Sequence, residues 1–436
     1  MVCVASPAVA QSENENIRPK RNSVYSRFGL GDPVQQYLVA QAGMGGLSAT
    51  YNDPSHVNMR NPASLAFLNL TSFEVGFNAR YANLSSGDES TGLWSGNLDY
   101  LALAFPLSNP INEALDRRRS LREWGMSFAL QPYTVVGYDV LASTFGPDLG
   151  TTTTSFKGNG GTYRVTWGNA YRLNNFAAGV NISYLFGKLT NSRRVFFEDF
   201  AVSYDTEILD EISISGFLWE AGLQYEIHFK EPNERGENVP SGKQLVFGVF
   251  GHTPNRFNTN YSTFVSRQSG FARDTIRYQE GVRQKGTLPT ELTGGIAYEN
   301  LNKLRVGVEV SRGLWSQYVN EAKPEELQDN FGVAFGVEYI PDIASFNSYL
   351  KKVRYRFGGF YRSDPRSFEG KQLEGYALTL GLGFPMIRPR ETTSYINFSL
   401  EVGQFGHAEV LRETYVRMAL GFTLNDNTWF FKRKFN

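Results

Sequence analysis

Residues able to carry chemistry are few and scattered in this chain. The four histidines, His56, His228, His252 and His407, lack metal-ligand spacing, and the single cysteine is Cys3. No Gly-x-Ser-x-Gly elbow or phosphate loop occurs, and no carboxylate pair can be singled out. The expectation is therefore no cofactor, no metal and no enzymatic reaction, although lipid-modifying barrels keep an enzyme formally open. The notable residues are instead conformational. Gly43, Gly45 and Gly46 precede Asn61-Pro62-Ala63, and Gln131-Pro132-Tyr133 interrupts an apolar run. Proline fixes φ and has no N–H to donate, while asparagine bonds the local backbone in turns. A charged set, Arg305, Glu309, Glu338, Arg354 and Arg356, falls on one face of neighbouring segments if those segments alternate.

They do alternate. Tyr376, Leu378, Leu380, Leu382 and Phe384 are interleaved with Ala377, Thr379, Gly381 and Gly383, and Val180 to Phe186 and Val416 to Leu424 repeat the pattern. Period two predicts strands. A soluble sandwich gives the same pattern along one strand, but here the segments reach ~10 residues and the polar face is small rather than Lys- and Glu-rich. They also continue without a helix from Thr71 to the end of the chain. About fourteen such segments can be counted between 71 and 424, an even number as bacterial barrels require. The fold class is thus all-β, a transmembrane antiparallel barrel of about fourteen strands.

Composition agrees. Lys+Arg 43 and Asp+Glu 43 cancel, so nothing draws the chain to nucleic acid. Aromatics make up 14%, and the mean hydropathy is −0.34. No run of ~18 apolar residues is present, as a membrane-spanning helix needs, whereas alternating barrel strands average to mild hydrophilicity. With both termini on the periplasmic side, outward loops are expected near 85–95, 141–156, 191–210 and 259–273, with apolar Leu141, Phe145, Leu149 and Phe156 in the second. Tight inward turns are expected at Asn174-Asn175 and Asn300-Leu301-Asn302, and long ones at 107–122 and 341–352.

The remaining segments complete the division. Ala8-Val9-Ala10 before Gln11 fits a secretory cleavage site, so 1–10 reads as a signal-peptide remnant or an ordinary terminus. Residues 11–34 read as a polar periplasmic leader. The breaker-rich stretch 35–70 reads as irregular structure held inside something larger, and 425–436 as an aromatic tail with Trp429, Phe430, Phe431 and Phe435.

Gly43-Met44-Gly45-Gly46 followed by Asn61-Pro62-Ala63-Ser64-Leu65 resembles the FadL/TodX family of outer-membrane transport proteins. Leu288-Pro289-Thr290 leading into Leu292 to Tyr298 is similar to a late strand of that family. Asn22 to Asp32 looks like the opening of a branch common in Bacteroidota. The resemblance implies an N-terminal hatch, with Gly43, Gly45, Gly46, Asn61, Pro62 and Ala63, plugging a fourteen-stranded barrel in the cell outer membrane. It also implies a kinked third strand opening sideways, which points to Gln131, Pro132 and Tyr133; a harmless irregularity at the rim is the alternative. Two functions stay open. The first, which the resemblance favours, is passive uptake of fatty-acid-like hydrophobic molecules through hatch and wall. The second is a plugged barrel serving as subunit or docking platform among other outer-membrane proteins, which the charged face and long turns favour. The partners expected are the lipid bilayer and either a hydrophobic ligand or neighbouring proteins.

Overall fold

The computed structural model describes residues 23–86, 89–107, 122–147, 150–200, 203–232, 237–269, 272–368, 370–387, 393–407 and 411–427. The alternating segments form a closed antiparallel barrel of fourteen strands. They are β1 (Thr71–Ser86), β2 (Glu89–Pro106), β3 (Arg122–Gly146), β4 (Gly150–Leu173), β5 (Phe176–Phe197) and β6 (Asp205–Pro232). β7 runs through Asn238–His252 and Asn255–Ser269, and β8 through Ala272–Leu288 and Glu291–Asn300. β9 (Leu304–Gly313), β10 (Asn330–Tyr339), β11 (Arg354–Phe368), β12 (Lys371–Ile387), β13 (Thr393–His407) and β14 (Leu411–Asp426) complete the ring. The breaks in β7 and β8 fall at Pro254 and Pro289, where a ladder donor is missing. β14 closes on β1 in a continuous register from Arg412 opposite Ser85 to Asp426 opposite Thr71.

The alternation sorts two surfaces. On β12, Tyr376, Leu378 and Leu380 are 52–59% exposed, whereas Ala377 and Thr379 are 5% and 0% exposed. Large side chains therefore face outward, the arrangement a lipid-facing wall requires. Tight turns occur where expected, with Asn174 and Asn302 in the left-handed region at φ 55° and 60°. The rim carrying Thr71 and Asp426 is termed the near rim, and its opposite the far rim.

Several expected outward loops are strand instead. Residues 89–95, 141–146, 150–156, 191–197, 205–210 and 259–269 all continue the ladders. On β6 the exposed apolar belt spans Phe217 to Phe229, so residues 205–215 continue a further ~35 Å along the strand at ~3.3 Å per residue. β9 and β10, ten residues each, have no such extension. The far rim is thus a one-sided crest built from β3 to β8. Its concave side is a small apolar core of Val136, Leu185, Ile212 and Phe257, capped by Leu30 and Tyr318. The signal remnant, turn residues 108–121 and tail residues 428–436 lie outside the described residues, as does Leu149.

Candidate functional site

Residues 38–68 are enclosed by the barrel. The segment makes one helical turn, Val39–Ala42, and a 3-10 turn, Pro62–Phe67, and is almost wholly buried. Small residues on the inner wall are explained by its closeness. A methyl added at Gly248 would lie 1.8 Å from the Ala49 carbonyl oxygen, and one at Gly125 would lie 1.9 Å from that of Leu65. Gly179, Gly336 and Gly421 meet Pro62, Met44 and Val39 in the same way, so the contacts run round the ring. Of the glycines expected here, Gly43 lies against Gly381, while Gly45 and Gly46 take φ of +68° and +84° beside Phe335 and Tyr37. Asn61 caps the 3-10 turn, its side chain accepting from the Ala63 N–H at 3.1 Å and donating to the Ala49 carbonyl at 2.6 Å. Pro62 occupies the first position of that turn, where its missing N–H costs nothing.

Buried ions fasten this segment to the wall. Glu338 accepts from Arg356 Nε at 2.7 Å and from Arg354 Nη1 at 3.4 Å, and Arg354 also donates to Asp53 of the enclosed segment. Asp53 further accepts from His56 Nδ1 at 3.1 Å, whose Nε2 faces Asn397 at 3.2 Å. The structure therefore joins three of the five charges singled out in the sequence. Arg305 pairs instead with Glu299 at 2.6 Å. Glu309 accepts from the Ser48 and Ala49 N–H groups, both at 2.7 Å. Asp53 was not foreseen, because its irregular surroundings carry no periodicity to indicate its direction. Among the described residues no histidine or carboxylate cluster could hold a metal ion.

Around Pro132 the wall changes partner. The β2–β3 ladder runs only from Pro106 opposite Gly125 to Leu101 opposite Leu130. The β3–β4 register shifts between Pro132 and Thr134. Beyond Leu130 the N-terminal segment takes up the vacated edge of β3. Asp32 and Pro33 pair with Val135 and Thr134, and the Val34 N–H donates to the Tyr133 carbonyl at 3.0 Å. Gln36 Nε2 donates to the Pro132 carbonyl at 3.0 Å, and Gln131 Nε2 to the Gln36 carbonyl at 3.4 Å. The described part of the expected leader, from Ser23, thus runs along β3, and its Tyr25 reaches the Leu411 carbonyl. Between this segment and the wall lies a cavity of about 330 Å³ whose lining includes Tyr37, Arg60, Tyr133, Glu309, Arg362 and Phe405. It is an amphipathic chamber with guanidinium and carboxylate groups, not a greasy tunnel.

Comparison with known proteins follows the architecture. The Ralstonia pickettii toluene transporter TbuX is 14% identical with a TM-score of 0.55, covering 90% of this chain and 99% of its own. A Pseudomonas aeruginosa FadL homologue gives 13% and 0.56, with 90% and 98% covered. The Pseudomonas putida toluene transporter TodX gives 13% and 0.53, with 92% and 100% covered. At this identity the likeness establishes the shared FadL-type barrel fold. No curated protein matches the chain in sequence. The family model described as BamG matches residues 1–436, and the chain belongs to that family.

Proposed function

We propose that this protein is a plugged outer-membrane barrel acting as a subunit or docking platform of a larger outer-membrane protein assembly. One observation carries the reading: the one-sided crest. Among the described residues, the β3 edge from 138 to 146 and the β8 edge from 272 to 284 have no second strand partner. Phe145 and Leu141 on β3, Tyr278 on β8 and Tyr204 between β5 and β6 are 60–79% exposed, beyond the lipid-facing belt. Unpaired edges and exposed large apolar side chains are features that stable proteins cover with a partner. The enclosed segment fits the same role. Held by buried ion pairs, it leaves an amphipathic chamber in which Arg60, Glu309 and Arg362 stand among aromatic rings.

The test is a photo-crosslinking amino acid at Phe145 or Tyr278 in cells. Adducts to a defined outer-membrane protein are expected, and a crosslinker at the lipid-facing Phe217 serves as control. Absence of protein adducts at both crest positions refutes the platform reading.

Passive uptake of hydrophobic molecules is the second reading, favoured by the end of the β2–β3 ladder at Leu130. In it, residues 35–70 are the hatch and Gln131, Pro132 and Tyr133 border a lateral exit. Uptake of a labelled hydrocarbon or fatty acid that depends on this gene, with no protein adducts at the crest, decides for it.

A further inference from the structure

The near rim carries one of the long turns expected from the sequence, on the opposite side of the barrel from the crest. The long connection between β10 and β11, residues 340–353, is fixed in shape rather than loose. The Asp342 N–H donates to the Lys351 carbonyl at 2.9 Å, and the Ala344 N–H to Asp342 Oδ1 at 3.1 Å. A 3-10 turn, Tyr349–Lys352, follows, and the Tyr349 hydroxyl donates to the Pro385 carbonyl on β12 at 3.0 Å. This ordered loop nevertheless presents Phe346 at 99% exposure, with Leu350 at 64%. Ile343 and Tyr349 are exposed beside them, and Lys351 is exposed at the end of the turn.

Its position identifies what covers it. Tyr355 lies on the outward face of β11, within the lipid-facing belt, and its hydroxyl donates to the Leu350 carbonyl at 3.0 Å. The turn therefore hangs over the outer side of the rim, continuous with exposed Tyr339, Tyr355 and Phe357. Apolar tips next to lysines, at the level where a barrel's aromatic girdle meets the headgroups, match the chemistry of an interfacial anchor. We propose that loop 340–353 is a membrane-surface anchor. It seats Phe346 and Leu350 at the boundary between headgroups and acyl chains, and it directs Lys351 and Lys352 to anionic lipid headgroups.

The proposal is tested on full-length protein carrying F346C with a nitroxide label, in a C3S background. The protein is placed in phosphatidylcholine vesicles with or without phosphatidylglycerol. Collisions with oxygen and with a water-soluble nickel chelate report depth, and Y278C on the crest supplies the water-exposed reference. The expected result is a label shielded from nickel and reached by oxygen. The shielding should deepen with phosphatidylglycerol and lose that dependence in K351E/K352E. Nickel access equal to the crest reference overturns the proposal. So does shielding seen only in native membranes and not in pure lipid, which assigns the loop to a protein partner. Shielding indifferent to the lysine reversals overturns the assignment to anionic lipid. Because Phe346, Tyr278 and Lys351 are exposed and Lys352 is only half-buried, the variants should keep the heat-modifiable gel mobility of the folded barrel.

Discussion

Replacing Asp53 by asparagine should loosen the enclosed segment without damaging the wall. Asp53 is 5% exposed and belongs to no strand, so D53N changes one end of the buried network. Arg354 then keeps Glu338 at 3.4 Å, a carboxylate already engaged by Arg356 at 2.7 Å, and the Tyr395 hydroxyl at 3.2 Å from its other terminal nitrogen. Breaking a buried ion pair by removing one partner costs about 3–5 kcal/mol. The asparagine oxygen can still accept the Ser55 N–H, seen at 2.8 Å in the parent, and Glu338 still compensates Arg354, so about 3 kcal/mol is expected. If the segment opens as a unit separate from the barrel, that cost raises its exchange-competent population by about two orders of magnitude. Hydrogen exchange of amides between 39 and 67, compared with amides of β12, reads this directly. A change under about threefold in the segment, or an equal acceleration throughout the barrel, contradicts the assignment of Asp53 as the fastening residue.

Three further outcomes follow from the same geometry. G248A drives a methyl into the Ala49 carbonyl and should lower stability by about 1–3 kcal/mol, read as a lower unfolding temperature in a gel-shift assay. G294A is the control, since its nearest new neighbour is 3.9 Å away, and should change little. N61A removes a cap and the 2.6 Å bond to the Ala49 carbonyl, costing about 1–2 kcal/mol, seen as faster exchange at Ala63 and Ser64. Asp329 on the far-rim loop is held below the usual carboxylate range by the Ser316 hydroxyl and N–H, at 2.7 and 3.0 Å. A depressed carboxyl contributes stability above its unfolded pKa and loses it as pH falls through the folded value. The Ser316–Asp329 contact should therefore persist down to about pH 4 and weaken below it, seen as lost protection of the Ser316 amide, a loss that D329N shows at all pH values.

Much of the wall is legible in sequence because a barrel strand states its two faces every second residue. Tyr376 to Phe384 shows this, and Asn174 and Asn302 mark near-rim turns by their tolerance of positive φ. The crest reads as loops in the sequence for a physical reason. Thr151 to Phe156 and Thr259 to Ser269 stand beyond the apolar belt and are rich in Thr, Ser, Asn and Arg, a composition that resembles a loop although the backbone is paired. Alternation puts the charged set on one face and lets Glu338 pair with Arg356 across neighbouring strands, but its contacts with the enclosed segment are not legible. Glu309 meets backbone N–H groups of the enclosed segment, and Arg354 meets Asp53, and neither contact has a periodic signature. The proximity of Asp32 to Val135 is likewise a long-range pairing that local pattern does not encode.

In the proposed function this plugged barrel works in company with other outer-membrane proteins. The most direct test is purification of the tagged, full-length protein from native membranes in gentle detergent, followed by quantitative mass spectrometry of proteins and small molecules. The account predicts a stoichiometric set of other outer-membrane proteins and a cavity free of apolar cargo. A solitary barrel that retains fatty acids or hydrocarbons would contradict it and transfer the function to uptake.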